Sequence, residues 1–215
     1  MANTAASFLP PLLQKTTHAP LEIPALKPLF SNGLARGAIA EVNGRRSSGR
    51  TSICLHILAQ ATARGEVCAV IDAHDSFHPA SAFAAGVQLD RLVWVRSSGN
   101  PENAIRAADL LLHAGGFGVV LLDLCEANAR ALNRIPLSYW FRFRRAVEHT
   151  PTILLICAES RQAKSSCSIY LELKSNAIDW RGAPPFLLLR GFETTAVLRK
   201  TSLAQPQPLS LQTVA

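Results

Sequence analysis

The sequence predicts an α/β fold, in which a mainly parallel sheet has helices on both faces and gains antiparallel strands on its C-terminal side. First, short apolar segments rich in β-branched residues alternate with segments of helical period over residues 31–159. Such alternation is typical of a parallel sheet covered by helices. Second, from Ser166 onward, "SIYLELK", "FLLLR" and "TAVLRK" follow one another with no helical segment between them, which indicates antiparallel pairing.

The elements of the alternating region follow from local signals. "GAIAEV" and "EVCAVID" are predicted strands, and "TSICLHILAQATARG" between them has helical spacing that ends at Gly65. The strand "RLVWVR" precedes a helix with Asn100 as N-cap, Pro101 at its first position and Gly115 as its stop. "FGVVLLD" and "TILLICAE" are buried strands on either side of the helical segment "SYWFRFRRAVEH".

These patterns predict one domain over residues 31–201. Residues 1–30 contain five of the thirteen prolines and no sustained period, so they are predicted to be a partly disordered tail. Residues 202–215 are uncharged and rich in Pro, Gln and Ser, and are predicted to be a disordered C-terminal tail.

Composition limits the classes of function. No apolar run reaches the length of a membrane span, and the N-terminus lacks a basic segment of the secretory type, so we expect a cytoplasmic protein that could associate with the nucleoid. The net charge of +7 favours an acidic partner, nucleic acid first. The five cysteines are scattered and form no C-x-x-C pair. They are interpreted as buried apolar residues rather than as disulfides or metal ligands.

The stretch "EVNGRRSSGRTS" has the spacing of a phosphate-binding loop. Gly44 and Gly49 enclose four residues, and Arg50 and Thr51 follow where the usual pattern has lysine and a hydroxyl residue. In such a loop, backbone N–H groups and a helix N-terminus bind phosphate oxygens. The predicted nucleotide-binding residues are Gly44, Ser47, Ser48, Gly49, Arg50, Thr51, Ser52 and Asp123.

A magnesium ion would accompany a bound ATP. Thr51 would ligate it through its hydroxyl, and Asp123, at the end of the apolar strand "GVVLLD", would hold it through water. The alternatives are that Thr51 only begins a helix and that Asp123 only caps the following turn.

The segment from "EVNGRRSSGRTS" through "VIDAHDSFHPASAFAAGVQLDRLVWVR" resembles the ATP-binding core of the RecA recombinase family. Shared features include the Ser47–Ser48 pair, the strand end "IDA" and the Gly86–Val87 pair. The resemblance extends more loosely to the strand "SIYLELK". It implies a RecA-like P-loop core that binds ATP and DNA.

Three departures from the family pattern concern hydrolysis. His74 stands where the family has the glutamate that activates water, Ser81 where it has the aromatic residue on adenine, and Arg50 where it has lysine. An efficient ATPase is therefore not expected.

Only "SRQAKSSC" separates the last two strands of the core, where recombinases have a DNA-contacting loop.

This compact form resembles the ImuA-like accessory proteins, grouped with SulA-type relatives of RecA. The resemblance implies an adaptor role in DNA repair and damage-induced (SOS) translesion synthesis, with an error-prone polymerase-like partner and RecA itself as a further candidate. The alternative is an ATP-hydrolysing DNA-binding protein of the recombinase type, using Arg50 for phosphate and Asp75 or Glu126 as base. A DNA-binding module without hydrolysis is a third hypothesis.

The segment "SYWFRFRRAVEH" interleaves aromatic residues with arginines. Trp140, Phe143 and Val147 share one helical face, and Glu148 lies within reach of Arg144. The segment is either an ordinary helix packed on the sheet or a surface for DNA or a protein partner. The residues of that surface would be Tyr139, Phe141, Arg142, Arg144 and Arg145.

His74, Asp75 and His78 are candidate metal ligands by residue type. Two histidines four residues apart converge only on a helix, and Pro79 follows directly, so the segment is predicted to be a loop and no zinc is expected.

Overall fold

The computed structural model describes residues 18–22, 26–27, 30, 32–199 and 206–212. The helices in this part of the chain are α1 (Arg50–Ala63), α2 (Pro79–Ala84), α3 (Pro101–Ala114), α4 (Ala129–Leu132) and α5 (Leu137–Val147). The strands are β1 (His18–Ala19), β2 (Leu34–Ala35), β3 (Ala38–Gly44), β4 (Cys68–Asp72), β5 (Leu92–Arg96), β6 (Val119–Asp123), β7 (Ile153–Ala158), β8 (Ile169–Ala183), β9 (Phe186–Arg199) and β10 (Pro206–Gln212).

Eight of these strands form one sheet in the order β10-β9-β8-β3-β7-β6-β4-β5. The pairs from β8 through β3, β7, β6 and β4 to β5 are all parallel. Strands β9 and β10 add to the β8 edge in antiparallel pairs. The predicted α/β class, with a parallel sheet and an antiparallel extension, is confirmed.

Alternate residues of the central strands point to opposite faces of the sheet and build two separate cores. One core packs Val42, Val70 and Leu155 against α1. The other packs Ile71 and Ile156, with their neighbours, against α3 and α5. Because both faces are covered, the central strands are apolar throughout their length, as the sequence indicated.

The start and stop residues predicted for α3 bound this helix in the structure. The Asn100 side chain accepts hydrogen bonds from the N–H groups of Glu102 (2.9 Å) and Asn103 (3.4 Å), and Pro101 occupies the first helical position. At the other end, Gly115 adopts a φ of 69°, which is strained for any residue with a Cβ. The helix is therefore bounded as its sequence predicts.

The C-terminal strands differ from the prediction in length. "FLLLR" and "TAVLRK" belong to one long strand, β9, which forms a hairpin with β8. Near the tip of this hairpin, Trp180, Phe186, Leu187 and Leu188 are exposed, Phe186 to 85%. These apolar side chains stay exposed because, beyond the central sheet, the hairpin has no covering layer among the described residues.

The two predicted tails also differ in part. Residues Pro206–Gln212 form β10 on the edge of β9 rather than a disordered segment. An edge strand tolerates Pro206 and Pro208, because it needs ladder hydrogen bonds on one side only. Within residues 1–30, Ala19, Leu21, Leu26 and Phe30 are buried in the α1 core, so the packed domain begins earlier than predicted. Residues 1–17, 23–25, 28–29, 202–205 and 213–215 lie outside the described part of the chain.

No helix within the described ranges is long and apolar enough to cross a membrane.

Candidate functional site

The phosphate loop connects β3 to α1 and has the backbone of an anion-binding turn. Ser47 and Gly49 have positive φ values of 60° and 86°, and α1 begins directly after Gly49 without a side-chain cap. A Cβ at Gly44 would lie 2.2 Å from the Ser48 hydroxyl and 2.9 Å from the Leu173 carbonyl oxygen, so only glycine fits there. The loop therefore keeps the uncapped helix N-terminus that phosphate binding requires.

The Ser48 hydroxyl is buried and has no hydrogen-bond partner among the described residues. A buried polar group without a partner is costly. The unsatisfied hydroxyl is consistent with a polar ligand in the loop, and in this respect the residues fit a bound phosphate.

Arg50 does not extend into open solvent. Its Nη1 donates to the Gly44 carbonyl, its Nη2 lies 3.5 Å from the Cys125 carbonyl oxygen, and the same Nη2 is 3.6 Å from a Glu126 carboxylate oxygen. Glu126 also pairs with Arg46. The charge that a phosphate would use is thus already engaged by the protein.

Asp123 ends β6 and is 8% exposed. Its Oδ1 accepts a hydrogen bond of 3.0 Å from the Cys125 N–H. Asp123 therefore caps the following turn, as one of the two alternatives for this residue predicts. Burial raises the pKa of the Asp123 carboxyl, partly opposed by the Cys125 N–H. Thr51 and Asp123 line one pocket together with Ser81 and His78. The volume of this pocket is about 140 Å³. The Thr51 and Asp123 oxygens could ligate magnesium in this pocket.

The same pocket contains thiols. Cys54 and Cys157 line it, and the Cys157 sulfur lies 3.1 Å from that of Cys125. Sequence reasoning missed this cluster because its cysteines come from three distant segments, and no spacing motif reports their proximity.

The segment that follows β4 is organised by a buried carboxylate. Asp72 accepts hydrogen bonds from the N–H groups of His74 (3.2 Å), Ser76 (3.0 Å) and Phe77 (2.9 Å). Sequence reasoning assigned no role to Asp72, although a strand-end aspartate before a loop is a usual signal for such a turn.

Asp75, the candidate general base, pairs with Arg96 at 2.8 Å. The Arg96 guanidinium lowers the pKa of this carboxyl. Asp75 is not among the residues that line the Thr51 and Asp123 pocket. A lowered pKa and a competing cation both make it a weak base.

His78 acts as the cap of α2. Its Nδ1 accepts a hydrogen bond of 3.2 Å from the Ser81 N–H. In the described part of the chain, the one group of three candidate ligands with atoms within 4.8 Å of one another is Asp123, Cys125 and Cys157. The structure therefore does not bring His74, Asp75 and His78 together as a metal cluster.

The short connection after β7 is held in place by Glu41. This carboxylate is fully buried in β3 and accepts hydrogen bonds from the N–H groups of Gln162 (2.6 Å) and Ala163 (3.1 Å). Burial raises the pKa of Glu41, while these hydrogen bonds oppose the increase. A loop anchored in this way is poorly suited to the wide movements of a DNA-contacting segment.

Helix α5 separates the residues of the predicted surface into two groups. Trp140, Phe143 and Val147 are at most 2% exposed, so the predicted apolar face is packed. Tyr139 is partly buried against the same core. The exposed members are Phe141, Arg142, Arg144 and Arg145, which line an open concave surface with Ser138 and Glu148.

One ion pair on α5 differs from the expectation. Glu148 forms no ion pair with Arg144 at 4 Å or less, whereas Arg142 pairs with Asp109 of α3 at 2.5 Å. The backbone of Glu148 has left the helix, with a ψ of 133°, so helical spacing no longer applies to its side chain. Arg144 and Arg145 remain as exposed cations on this face.

About half of the chain is similar to known proteins. Residues 25–131 match the RecA N-terminal domain. Protein RecA of Rickettsia massiliae is 37% identical over 95 residues, which are 44% of this chain and 27% of that protein. For Protein RecA of Rhodospirillum rubrum the identity is 41% over 95 residues, 44% of this chain and 26% of that protein. The chain thus spans about a quarter of the length of the curated relatives it matches.

The fold has a neighbour among solved structures. The crystal structure of the RadB recombinase superposes with a TM-score of 0.60 at 19% sequence identity, covering 87% of this chain and 91% of that chain. At this identity the match concerns the fold alone.

Proposed function

We propose, from the match of residues 25–131 to the RecA N-terminal domain, that this chain acts in DNA repair as an accessory protein whose phosphate loop has little or no hydrolytic activity. The observation that carries the proposal is the position of Arg50. Its guanidinium is held by the Gly44 carbonyl and by Glu126. To reach a γ-phosphate it would have to break these contacts and reorient a rigid planar group.

The surroundings of the pocket support the same proposal. A base close to an attacking water is needed for hydrolysis. His74 occupies the position that the resemblance assigns to that base. Asp75, next to it, is bound to Arg96. Glu126, the other candidate, is shared between Arg46 and Arg50, so neither carboxylate is available without losing an ion pair.

Nucleotide binding is a separate question from hydrolysis. ATP with magnesium would use the backbone of residues 44–52, with Thr51 and Asp123 toward the metal. ATP supplies phosphoryl-transfer chemistry when it is hydrolysed, and this chain would bind ATP without hydrolysing it.

The partners proposed are an error-prone polymerase-like protein of damage-induced translesion synthesis, RecA as a second candidate, and DNA. The exposed residues Phe141, Arg144 and Arg145 on α5 support a surface for DNA or a protein partner. They combine an aromatic ring that is 48% exposed with cations, a combination found in both kinds of interface.

The test of the adaptor role is a pull-down of the tagged full chain from DNA-damaged cells, followed by reconstitution with the purified partner. We expect a polymerase-like protein to be recovered and to form a stable complex with the purified chain. If polymerase-like proteins prepared from the same cells do not associate with the chain, the adaptor role is contradicted.

A second candidate, an ATP-hydrolysing DNA-binding protein of the recombinase type, is favoured by the intact loop backbone and the unsatisfied Ser48 hydroxyl. It requires magnesium-dependent ATP binding. No thermal shift at saturating ATP with magnesium would exclude it. A shift that needs both would meet this requirement, and magnesium-dependent release of phosphate from ATP would then support this candidate over binding without hydrolysis.

A further inference from the structure

We propose that Asp123, Cys125 and Cys157, with Cys54 as the fourth ligand, form a binding site for a thiophilic divalent cation of the zinc type. The candidate ligand atoms of Asp123, Cys125 and Cys157 lie within 4.8 Å of one another. Cys54 lines the same pocket as Asp123 and Cys157. The three clustered side chains thus lie beside a further thiol.

The separation of the Cys125 and Cys157 sulfurs fits a metal site after small rotations of the side chains. The Cys125 and Cys157 sulfurs are 3.1 Å apart. Tetrahedral zinc with Zn–S bonds of about 2.3 Å holds its sulfurs about 3.8 Å apart. The two thiols therefore need to separate by less than about 1 Å to admit the ion.

The cluster is supported by rigid elements. Cys54 lies on α1 and Cys157 in β7, and both are 1% exposed. Asp123 ends the neighbouring strand β6, and its hydrogen bond to the Cys125 N–H fixes the turn that carries the third thiol. Ligands held by packed elements favour defined metal geometry.

An ion has a route to these ligands. The pocket of about 140 Å³ is lined by Cys54, Asp123 and Cys157. Cys125 is partly exposed. A hydrated ion could therefore exchange water for these ligands without unfolding of the core.

The donor set selects the kind of metal. Thiolates prefer zinc and other soft or borderline cations, whereas magnesium prefers oxygen ligands. On binding, each thiol loses its proton to solvent, so four anionic ligands around a divalent ion leave a net negative charge. The Arg50 guanidinium, 3.5 Å from the Cys125 carbonyl oxygen, partly offsets this charge. The expectation of no zinc rests on histidine spacing and on the scattered cysteines without a C-x-x-C pair, and neither pattern reports cysteines that the fold brings together.

The test uses the full chain, reduced and stripped of metal under anaerobic conditions, with Co²⁺ as the spectroscopic probe. We expect a thiolate-to-cobalt charge-transfer band and tetrahedral d–d bands that saturate at one ion per chain and disappear on addition of Zn²⁺. The assay needs neither nucleotide nor partner. Absence of the charge-transfer band in the reduced protein would overturn the proposal.

Matched cysteine variants locate the site. Cys125→Ser should weaken cobalt binding by more than about tenfold, since even partners outside the ligand set typically contribute 10–100-fold. Cys68→Ser, at a fully buried free cysteine outside the cluster, should leave the band unchanged. Circular dichroism would verify that both variants are folded. Equal binding by folded Cys125→Ser, or a Cys125–Cys157 disulfide in place of metal binding by freshly reduced protein, would also overturn the proposal.

Discussion

The Arg50 guanidinium donates to the Gly44 carbonyl and so connects the two ends of the phosphate loop. Its side chain is 6% exposed, whereas that of Arg46, which shares the Glu126 carboxylate, is 80% exposed. The two arginines have the same acidic partner and differ in burial. Substitutions of these two arginines therefore distinguish the effect of a buried contact from that of a surface ion pair.

Arg50→Ala should lower the free energy of unfolding by about 1–3 kcal/mol, because it leaves a buried carbonyl without its donor. Arg46→Ala should change the free energy of unfolding by less than about 1 kcal/mol, since exposed ion pairs contribute little. Urea denaturation of both variants measures the difference. Equal losses of unfolding free energy in the two variants would contradict a stabilising role for the Arg50 contacts.

Glu41 should make stability depend on pH. Burial raises its pKa above the ordinary value of 4.5. Between the ordinary and the raised values, the folded protein retains a proton that the unfolded chain has released. Its contribution to stability is therefore largest at low pH and falls as the pH rises through this window.

Glu41→Gln cannot titrate and keeps a side-chain oxygen for the Gln162 N–H. Urea denaturation across that pH range should give a shallower decrease of stability with rising pH for the variant than for the unmodified chain. Parallel pH profiles would contradict the assignment.

At the scale of elements, α5 was predicted well on its buried face and only partly on its exposed face. Apolar periodicity identified Trp140, Phe143 and Val147, because burial against a sheet requires that period. The pairing of Arg142 with Asp109 was not predictable, since it depends on how α3 and α5 pack together. The strand β10 was missed for a similar reason: its partner is an open edge, which composition does not reveal.

Phe143→Ala should lower the free energy of unfolding by about 3–5 kcal/mol, because the ring is completely buried. Phe141→Ala, on the same helix and 48% exposed, should cost less than about 1.5 kcal/mol. Denaturation of the pair measures the difference. A similar loss in both would contradict the orientation of α5.

If α5 faces DNA, Arg144→Ala combined with Arg145→Ala should weaken binding to single-stranded DNA and reduce the dependence of affinity on salt. Each lost phosphate contact lowers the slope of log K against log salt by about 0.7 for single strands. Arg130→Ala, at an exposed arginine on α4, is the control and should leave the slope unchanged. Fluorescence anisotropy across a salt series measures it. An unchanged slope in the double variant would assign this surface to a protein partner or to solvent.

At the scale of the whole molecule, the sheet brings together residues that are far apart in sequence. The ends of β3, β6 and β7 place the loop, Asp123 and Cys157 around one pocket. The succession of strands and helices along the chain and the phosphate loop were predictable from periodicity and spacing. The cysteine cluster and the internal contacts of Arg50 were not, because both depend on which strand ends are neighbours in the folded sheet.

The account depends most on the loss of hydrolytic chemistry in a retained phosphate-loop frame. The direct measurement is the rate of ATP hydrolysis by the purified full chain with magnesium, with and without single-stranded DNA, beside Arg50→Ala under the same conditions. The account predicts no hydrolysis above that of Arg50→Ala in either case. Magnesium-dependent hydrolysis that DNA stimulates and Arg50→Ala abolishes would contradict it.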